Sequence, residues 1–211
     1  MSGPAHDTDE RVRAAAVRLF AEKGFNGTGI RELADAAGLS SASLYHYMGT
    51  KQDLLTEIME TSLNRLVAAA RMLAGRGDGP AATIAALVQM HVAAHALRQD
   101  ETIVVDNELR ALTPERRVAV LALRDAYEQV WREVIDDGCA RGAFRVPDAR
   151  VARLALLEMC TGVARWYSPG GPLSLAEVTA AHAAMALAML GCADPPAADG
   201  SAIELLAELW R

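Results

Sequence analysis

The chain has 211 residues, within reach of one large or two small domains, and 52% of them are hydrophobic, so a sizeable core can be buried. A net charge of −6 argues against nucleic-acid binding through bulk positive charge, and residues 1–51, with six basic and six acidic side chains, are themselves neutral. Three widely spaced cysteines, Cys139, Cys160 and Cys192, show no metal-ligand spacing and fit a reduced cytoplasm.

Abundant alanine favours helices, aromatics are only 5%, and no stretch shows strand alternation bounded by hairpin turns, so the expected fold class is all-α. The N-terminus lacks the basic, apolar and small-residue pattern of an export signal. The longest nearly uncharged run is read as 180–193, short of the roughly 20 residues of a membrane span, so no membrane is expected.

In chain order, residues 1–7 read as disordered. Thr8 caps a first helix, Asp9 and Glu10 suit its dipole, Val12, Ala16, Leu19 and Phe20 face inward, and Gly24 stops it. Residues 28–51, TGIRELADAAGLSSASLYHYMGTK, organise the rest. Ile30, Leu33 and Ala34 form one apolar stripe, and Gly38 ends that helix in a left-handed conformation. Leu39 is the buried turn residue, Ser40 caps a second short helix over Ser41–Met48, and Thr50 caps a third that begins at Lys51. Helix, glycine turn and short helix make a helix-turn-helix, whose second helix enters the DNA major groove. Ser41 and Ser43 are small hydroxyls on the first turn, where base edges are read, and Tyr45, His46 and Tyr47 follow as polar aromatics. The competing reading is a plain surface helix with Leu44 and Met48 buried.

The helix from Lys51 to about Ala74 spans over about 30 Å at 1.5 Å per residue, long enough to join two domains. The stretch GRGDGP is a loop and lacks the lysine and strand–helix context of a phosphate cradle. Helices follow at 80–97, 100–112 and 114–140, the last opened by Thr113-Pro114-Glu115. Asp148 caps a helix to about Tyr167, SPGGP breaks it, and Ser174 starts another to about Leu190. DPPAADG links to a final amphipathic helix, SAIELLAELWR. The division is a DNA-binding domain over 1–50 and a ligand-binding and dimerisation domain over 51–211.

His91 and His95, four apart, either bind zinc with Asp106 or Glu108, line a pocket, or sit at the surface. A third histidine is absent nearby, because His182 belongs to another helix, and no nucleophile–base pair is found, so neither a metal site nor an enzyme is expected. Tyr127 and Trp131 share a face of the 114–140 helix. HAAMALAML, apolar on nearly all sides, is expected to be buried all round, either by a second subunit or by the chain's own helices.

From about Val12 to Leu55 the sequence LFAEKGFNGTGIRELADAAGLSSASLYHYMGTKQDLL resembles the DNA-binding domain of the TetR family of bacterial repressors. Gly29 stands where the family usually has Ser, Thr or a β-branched residue, and Met48 replaces a common Phe. The resemblance implies DNA contacts from Thr28, Arg31, Ser41, Ser43, Tyr45, His46, Tyr47 and Lys51, with Lys51 on a phosphate. It also implies a homodimer in which 148–167 and 174–190 pair with their copies. The stretches ELRALTPERRVAVLALRDAYEQVWREVIDDGCARGAFR and GVARWYSPGGPLS resemble TetR-type repressors of fatty-acid and sterol-ring breakdown, which respond to acyl-CoA thioesters. That implies a small apolar or acyl-CoA-like effector, no cofactor, and contacts from His91, His95, Tyr127, Trp131, Arg165 and Trp166. Arg110, Arg116 and Arg117 are further cations for its phosphates. Against this stands Trp166 as core, with Arg165 paired to Glu158 or Asp148. The expected protein is a cytoplasmic, nucleoid-associated repressor that binds a palindromic operator and is released by effector. The alternative is a helical sensor or carrier without DNA binding.

Overall fold

The computed structural model describes residues 4–196 and 201–209. Among them all regular structure is helical: α1 (Pro4–Lys23), α2 (Ile30–Ala37), α3 (Ser41–Met48), α4 (Lys51–Ala74), α5 (Pro80–Leu97), α6 (Gln99–Asn107), α7 (Pro114–Ala140), α8 (Ala149–Thr161), α9 (Leu175–Met189) and α10 (Ser201–Leu209). Tight 3-10 turns extend α6 over Glu108–Ala111 and α8 over Gly162–Arg165. The all-α expectation is borne out. The expected disorder at 1–3, part of the linker at 197–200 and the last two residues of the final helix lie outside the described residues.

The chain forms two compact units, Met1–Leu63 with Asp100–Leu123, and Asn64–Gln99 with Arg124–Arg211. In the first, α1, α2 and α3 enclose Val12, Ala16, Leu19, Phe20, Leu33 and Leu44. The start of α4 adds Leu54, Leu55, Ile58 and Met59, and Val104, Val105, Leu112 and Val120 complete the same core. Packing therefore does not divide at 50/51. Residues far along the chain return to the helix-turn-helix because α6 and the start of α7 have an apolar side of their own. Bonds that fasten them include Arg13 to Glu101 (2.9 Å), Gln52 Nε2 to the Ala111 carbonyl (2.6 Å), and Arg116 to Asp53.

In the second unit α5 is the central helix, packed on α8, α9 and α10. Its 18 residues carry no charged side chain, with a mean hydropathy of 1.3, and 72% of it is buried. It, and not 180–193, is the longest uncharged run. By length and composition alone α5 is apolar enough to cross a membrane, and its burial marks it as a core helix. Its own Leu87 and Met90 are fully buried, as are Trp131, Ile135 and Leu156 of the same core. Phe144 folds back onto Gly138, where a Cβ would meet the ring at 2.1 Å.

Several helix ends differ from the sequence reading. α1 begins at Pro4 rather than Thr8, whose side chain is buried. Leu39 is half-buried rather than buried. The helix expected to run to Tyr167 ends at Thr161, beyond which Gly162 and its neighbours tighten to 3-10 geometry. Asp148 and Ser174 cap as expected. Asp148 accepts from the Val151 N–H at 3.0 Å, and Ser174 closes a reciprocal box with Glu177.

Candidate nucleic-acid interface and buried polar cluster

The turn between α2 and α3 is built by Gly38, at φ +69°. Its N–H reaches the Asp35 carbonyl (3.1 Å), and that of Leu39 reaches Ala34 (2.9 Å), which satisfies the end of α2. Ser40 then accepts the Ser43 N–H at 3.1 Å and starts α3. Leu44 and Met48, one turn apart, are buried in the core of the unit. Their burial turns Ser43, Tyr45 and His46 outward and leaves Ser41 and Tyr47 half-covered, Tyr47 resting against the core. The outward face thus carries hydroxyls and aromatic rings that can donate and accept hydrogen bonds.

Thr50 and Asp53 close a cap at the next junction. Asp53 Oδ2 accepts from the Thr50 N–H (2.8 Å) and hydroxyl (2.5 Å), and Thr50 Oγ1 accepts from the Asp53 N–H (3.0 Å). The Thr50 hydroxyl and N–H, with help from Arg116, hold the Asp53 carboxyl down at about 2.

Two of the sequence-derived DNA contacts have hydrogen-bond partners within the chain. Thr28 is buried, with its hydroxyl 2.9 Å from the Gly24 carbonyl and 3.2 Å from that of Leu19, so its side chain faces the loop interior. Lys51 Nζ donates to the Phe25 carbonyl (2.7 Å) and the Thr28 carbonyl (2.8 Å) and sits 4.2 Å above the Phe25 ring. Partial burial lowers its pKa. Arg31 is exposed. Many other cations of this unit are paired: Lys23 with Glu32, Arg18 with Glu22, Arg13 with Glu57 and Glu101. The neutrality read from the sequence is therefore also local.

In the second unit α5 presents His91 and His95 one turn apart, with rings stacked at 3.8 Å and 11°. His91 Nδ1 lies 2.8 Å from the Tyr127 hydroxyl and Nε2 lies 3.1 Å from Thr161 Oγ1. His95 Nδ1 donates to the His91 carbonyl at 2.8 Å, which fixes its tautomer. Trp131 meets His91 edge-on at 5.8 Å. Burial pushes His91 well below its ordinary range, with help from His95 and His182, and pushes His95 down to about 4. Burial also raises Tyr127, and takes the Cys160 thiol up to about 12. At neutral pH the cluster is uncharged, a set of donors and acceptors inside an apolar core.

Four of the six sequence candidates, His91, His95, Tyr127 and Trp131, are thus brought together. Arg165 and Trp166 are not part of this buried set. Both are exposed at the end of the turn after α8, and Trp166 stacks on His182 at 6.0 Å. The alternative of Trp166 as core fails on the same observation, and Asp148 is occupied as a helix cap. Arg116 and Arg117 belong to the first unit. Arg116 is held by Asp53, and Arg117 by the carbonyls of Arg110 and Leu112. Thr161, which the sequence reading missed, carries no signal in the chain beyond its place at a helix end. Among the described residues no group of three or more His, Cys, Asp or Glu side chains is arranged to hold a metal.

The outer face of α9 consists of Ala180, Ala181, Ala184, Met185, Ala188 and Met189, all exposed. On α8, Val151, Leu154 and Ala155 are exposed as well. Within a single chain α9 is therefore buried on one side only, so the chain's own described helices do not bury it all round.

A helix-turn-helix unit with a polar reading face, joined in one chain to a helical unit, is the architecture of a DNA-binding regulator. Comparison with known proteins narrows this. Residues 12–58 match the model of bacterial regulatory proteins of the tetR family, and residues 77–190 match the tetracyclin repressor-like C-terminal domain. The HTH-type transcriptional repressor KstR2 of Rhodococcus jostii is 31% identical over 200 residues, covering 91% of this chain and 97% of that one. The solved ketosteroid transcriptional regulator KstR2 of Mycobacterium tuberculosis superposes with a TM-score of 0.80 at 25% identity, covering 85% of this chain and 93% of that one. The TetR family transcriptional regulator PfmR of Thermus thermophilus gives 0.76 at 32% identity, covering 87% and 99%. The chain belongs to the TetR family, and it is a transcriptional repressor of that type rather than an enzyme.

Proposed function

We propose that the protein is a homodimeric, effector-controlled repressor that holds a palindromic operator and lets go when a small, largely apolar ligand enters the second unit. An acyl-CoA-like thioester is the ligand class the sequence supports. The observation that carries effector control is the uncharged cluster of His91, His95, Tyr127 and Thr161 inside α5, α7 and α8. Polar groups buried in a core cost stability unless they are satisfied, so a neutral network in this position suits reading a ketone, ester or hydroxyl oxygen within an apolar ligand. The naming of the relative as a ketosteroid regulator agrees with such a ligand. Arg165 and Trp166, exposed, suit the polar end of a thioester. Dimerisation is supported by the small, apolar outer faces of α8 and α9. A two-fold dimer places two α3 helices in major grooves about 34–36 Å apart or a multiple of it. Such a protein meets chromosomal DNA in the cytoplasm.

Release requires that the effector bind the released state more tightly than the DNA-bound state. The test is a panel of acyl-CoA thioesters of increasing chain length, read by melting temperature and by operator affinity. Trp166→Ala should keep DNA binding and lose release by the active thioester. If no thioester shifts either quantity, this effector class is wrong, while the repressor assignment stands.

A further inference from the structure

We propose that Trp131 and Tyr127 form a site for one carbonyl oxygen of an apolar ligand, with the indole N–H and the phenol O–H as its two donors. The proposal rests on the reading of the second unit as the effector-binding part, and it names the ligand atom recognised there. Tyr127 and Trp131 stand four residues apart on α7, so both side chains leave the same face of that helix. Their rings meet edge-on at 6.2 Å, and the His91 ring lies 5.8 Å from each.

A donor without an acceptor carries the argument. Among the described residues, four buried side-chain nitrogens make no hydrogen bond: Nε of Arg13, Arg117 and Arg153, and Nε1 of Trp131. The arginines have other nitrogens, and these are held: Arg13 by Glu101, Arg117 by two carbonyls, Arg153 by Glu128. An indole has a single N–H and no other polar atom. Trp131 is fully buried, so bulk solvent does not reach that N–H. A donor left bare in a core costs stability, and native chains keep few of them. A phenylalanine would fill much of the same space without that cost.

The hydrogen-bonded chain beside it supplies the second donor. The Tyr127 hydroxyl lies 2.8 Å from His91 Nδ1, and Thr161 Oγ1 lies 3.1 Å from His91 Nε2. A neutral imidazole has one N–H, so this chain runs in either of two directions. In one, the phenol donates to Nδ1 and Nε2–H donates to Thr161. In the other, Thr161 donates to Nε2, Nδ1–H donates to the phenol oxygen, and the phenol proton is released to point elsewhere. Burial raises the phenol, and the indole N–H near its oxygen opposes that, yet the two form no hydrogen bond. A carbonyl oxygen beside both rings accepts from both, one lone pair to each. His95 does not compete, because its Nδ1–H is committed to the His91 carbonyl. A ligand ammonium has no lone pair for these donors, and a hydrocarbon leaves both bare. The ligand class is therefore a neutral ketone or ester on an apolar body.

The experiment uses the full chain and a series of 2-alkanones of increasing chain length. Each is paired with the 2-methyl-1-alkene of the same length, in which a methylene group replaces the oxygen. Affinity is read by calorimetry and by the change in melting temperature on binding. The wild type should hold the best-fitting ketone about tenfold or more tighter than its alkene. Trp131→Phe and Tyr127→Phe each keep a ring and remove one donor, and each should cut that preference by about threefold or more. A purely structural role would weaken ketone and alkene alike. Equal affinities in the wild type, or a preference unchanged in either variant, overturns the proposal. Should the variants not fold, the wild-type chain decides. Its tryptophans are Trp131, Trp166 and Trp210, so Trp166→Phe and Trp210→Phe assign the Trp131 indole resonance by elimination. That resonance should move downfield with the bound ketone and not with the alkene; a resonance that ignores the bound ketone overturns the proposal. If no 2-alkanone binds, the proposal fails. A thioester that still shifts operator affinity then keeps effector control, and if none does, both fall. A ketone bound with the expected preference but without effect on operator affinity keeps the carbonyl site and removes its role in release.

Discussion

His95 ties the stability of the second unit to pH. Burial holds its imidazole down at about 4, against the 6.5 of an exposed histidine, and the bond from Nδ1 to the His91 carbonyl only partly opposes that. The unfolded chain takes up a proton near pH 6.5, whereas the folded chain does so only near 4. Stability is therefore full above pH 6.5 and is lost as the solution is acidified through that window. At pH 5 the two values imply a loss of about 2 kcal/mol from His95 alone, a roughly thirtyfold shift toward the unfolded state. His91, pushed in the same direction by burial, His95 and His182, adds to it. His95→Leu removes the titrating group at similar volume. It also removes a hydrogen bond, so the two proteins should be compared by their change between pH 7 and pH 5, not by absolute stability. Urea unfolding, followed by fluorescence at fixed protein concentration, should show that change to be smaller in His95→Leu by about 2 kcal/mol. Equal changes in both proteins would refute the buried, neutral state of His95.

Four other outcomes are expected. Ala184→Glu puts a charge on the exposed small-residue face of α9 and should give monomers that no longer hold operator; a dimer of unchanged mass in light scattering would remove α9 from the interface. Gly138→Ala drives a methyl group to within 2.1 Å of the Phe144 ring and should destabilise by about 1–3 kcal/mol, less about 1 kcal/mol regained as helix propensity, so an unchanged melting temperature would contradict the close packing described. Ser43→Ala should cost about 1–3 kcal/mol of operator affinity and change which operator variants are preferred if its hydroxyl reads a base. Tyr45→Phe should weaken binding modestly with little change in salt slope; equal effects of the two on all sequences would refute the division between base and backbone contacts.

Where a helix end is written in side-chain chemistry, it could be read to the residue. The spans 51–74, 80–97 and 114–140 match because Thr50, Pro80 and Pro114 stand at their starts. The helix-turn-helix was legible for the same reason, through Gly38 and Ser40, and the pairing of His91 with His95 followed from a spacing of four. What could not be read depends on tertiary packing. Val104 and Val105 look like any short apolar helix, and nothing local says that they join the core of Leu54 and Ile58. The position of Lys51 on its helix was clear, but a four-carbon stem reaches several places, and the carbonyls that attract it lie 23 and 26 residues back in the chain. Thr28 is buried by the same loop. Trp166 looked like core or ligand contact by size alone, and the Pro–Gly segment that follows leaves it half-exposed on His182. The uncharged length of α5 is masked in the sequence because its glutamine and histidines interrupt the apolar run without adding charge.

α5 also bears on the order of synthesis. The helices packed on it, α8, α9 and α10, all follow it in the chain, the last ending at Leu209, about 110 residues after Leu97. At roughly 5–20 residues per second, a ribosome leaves this uncharged helix without its cover for some 5–20 seconds. Messages truncated before residue 175 never supply α9 at all. The core around α5 therefore closes only when the C-terminal helices have emerged.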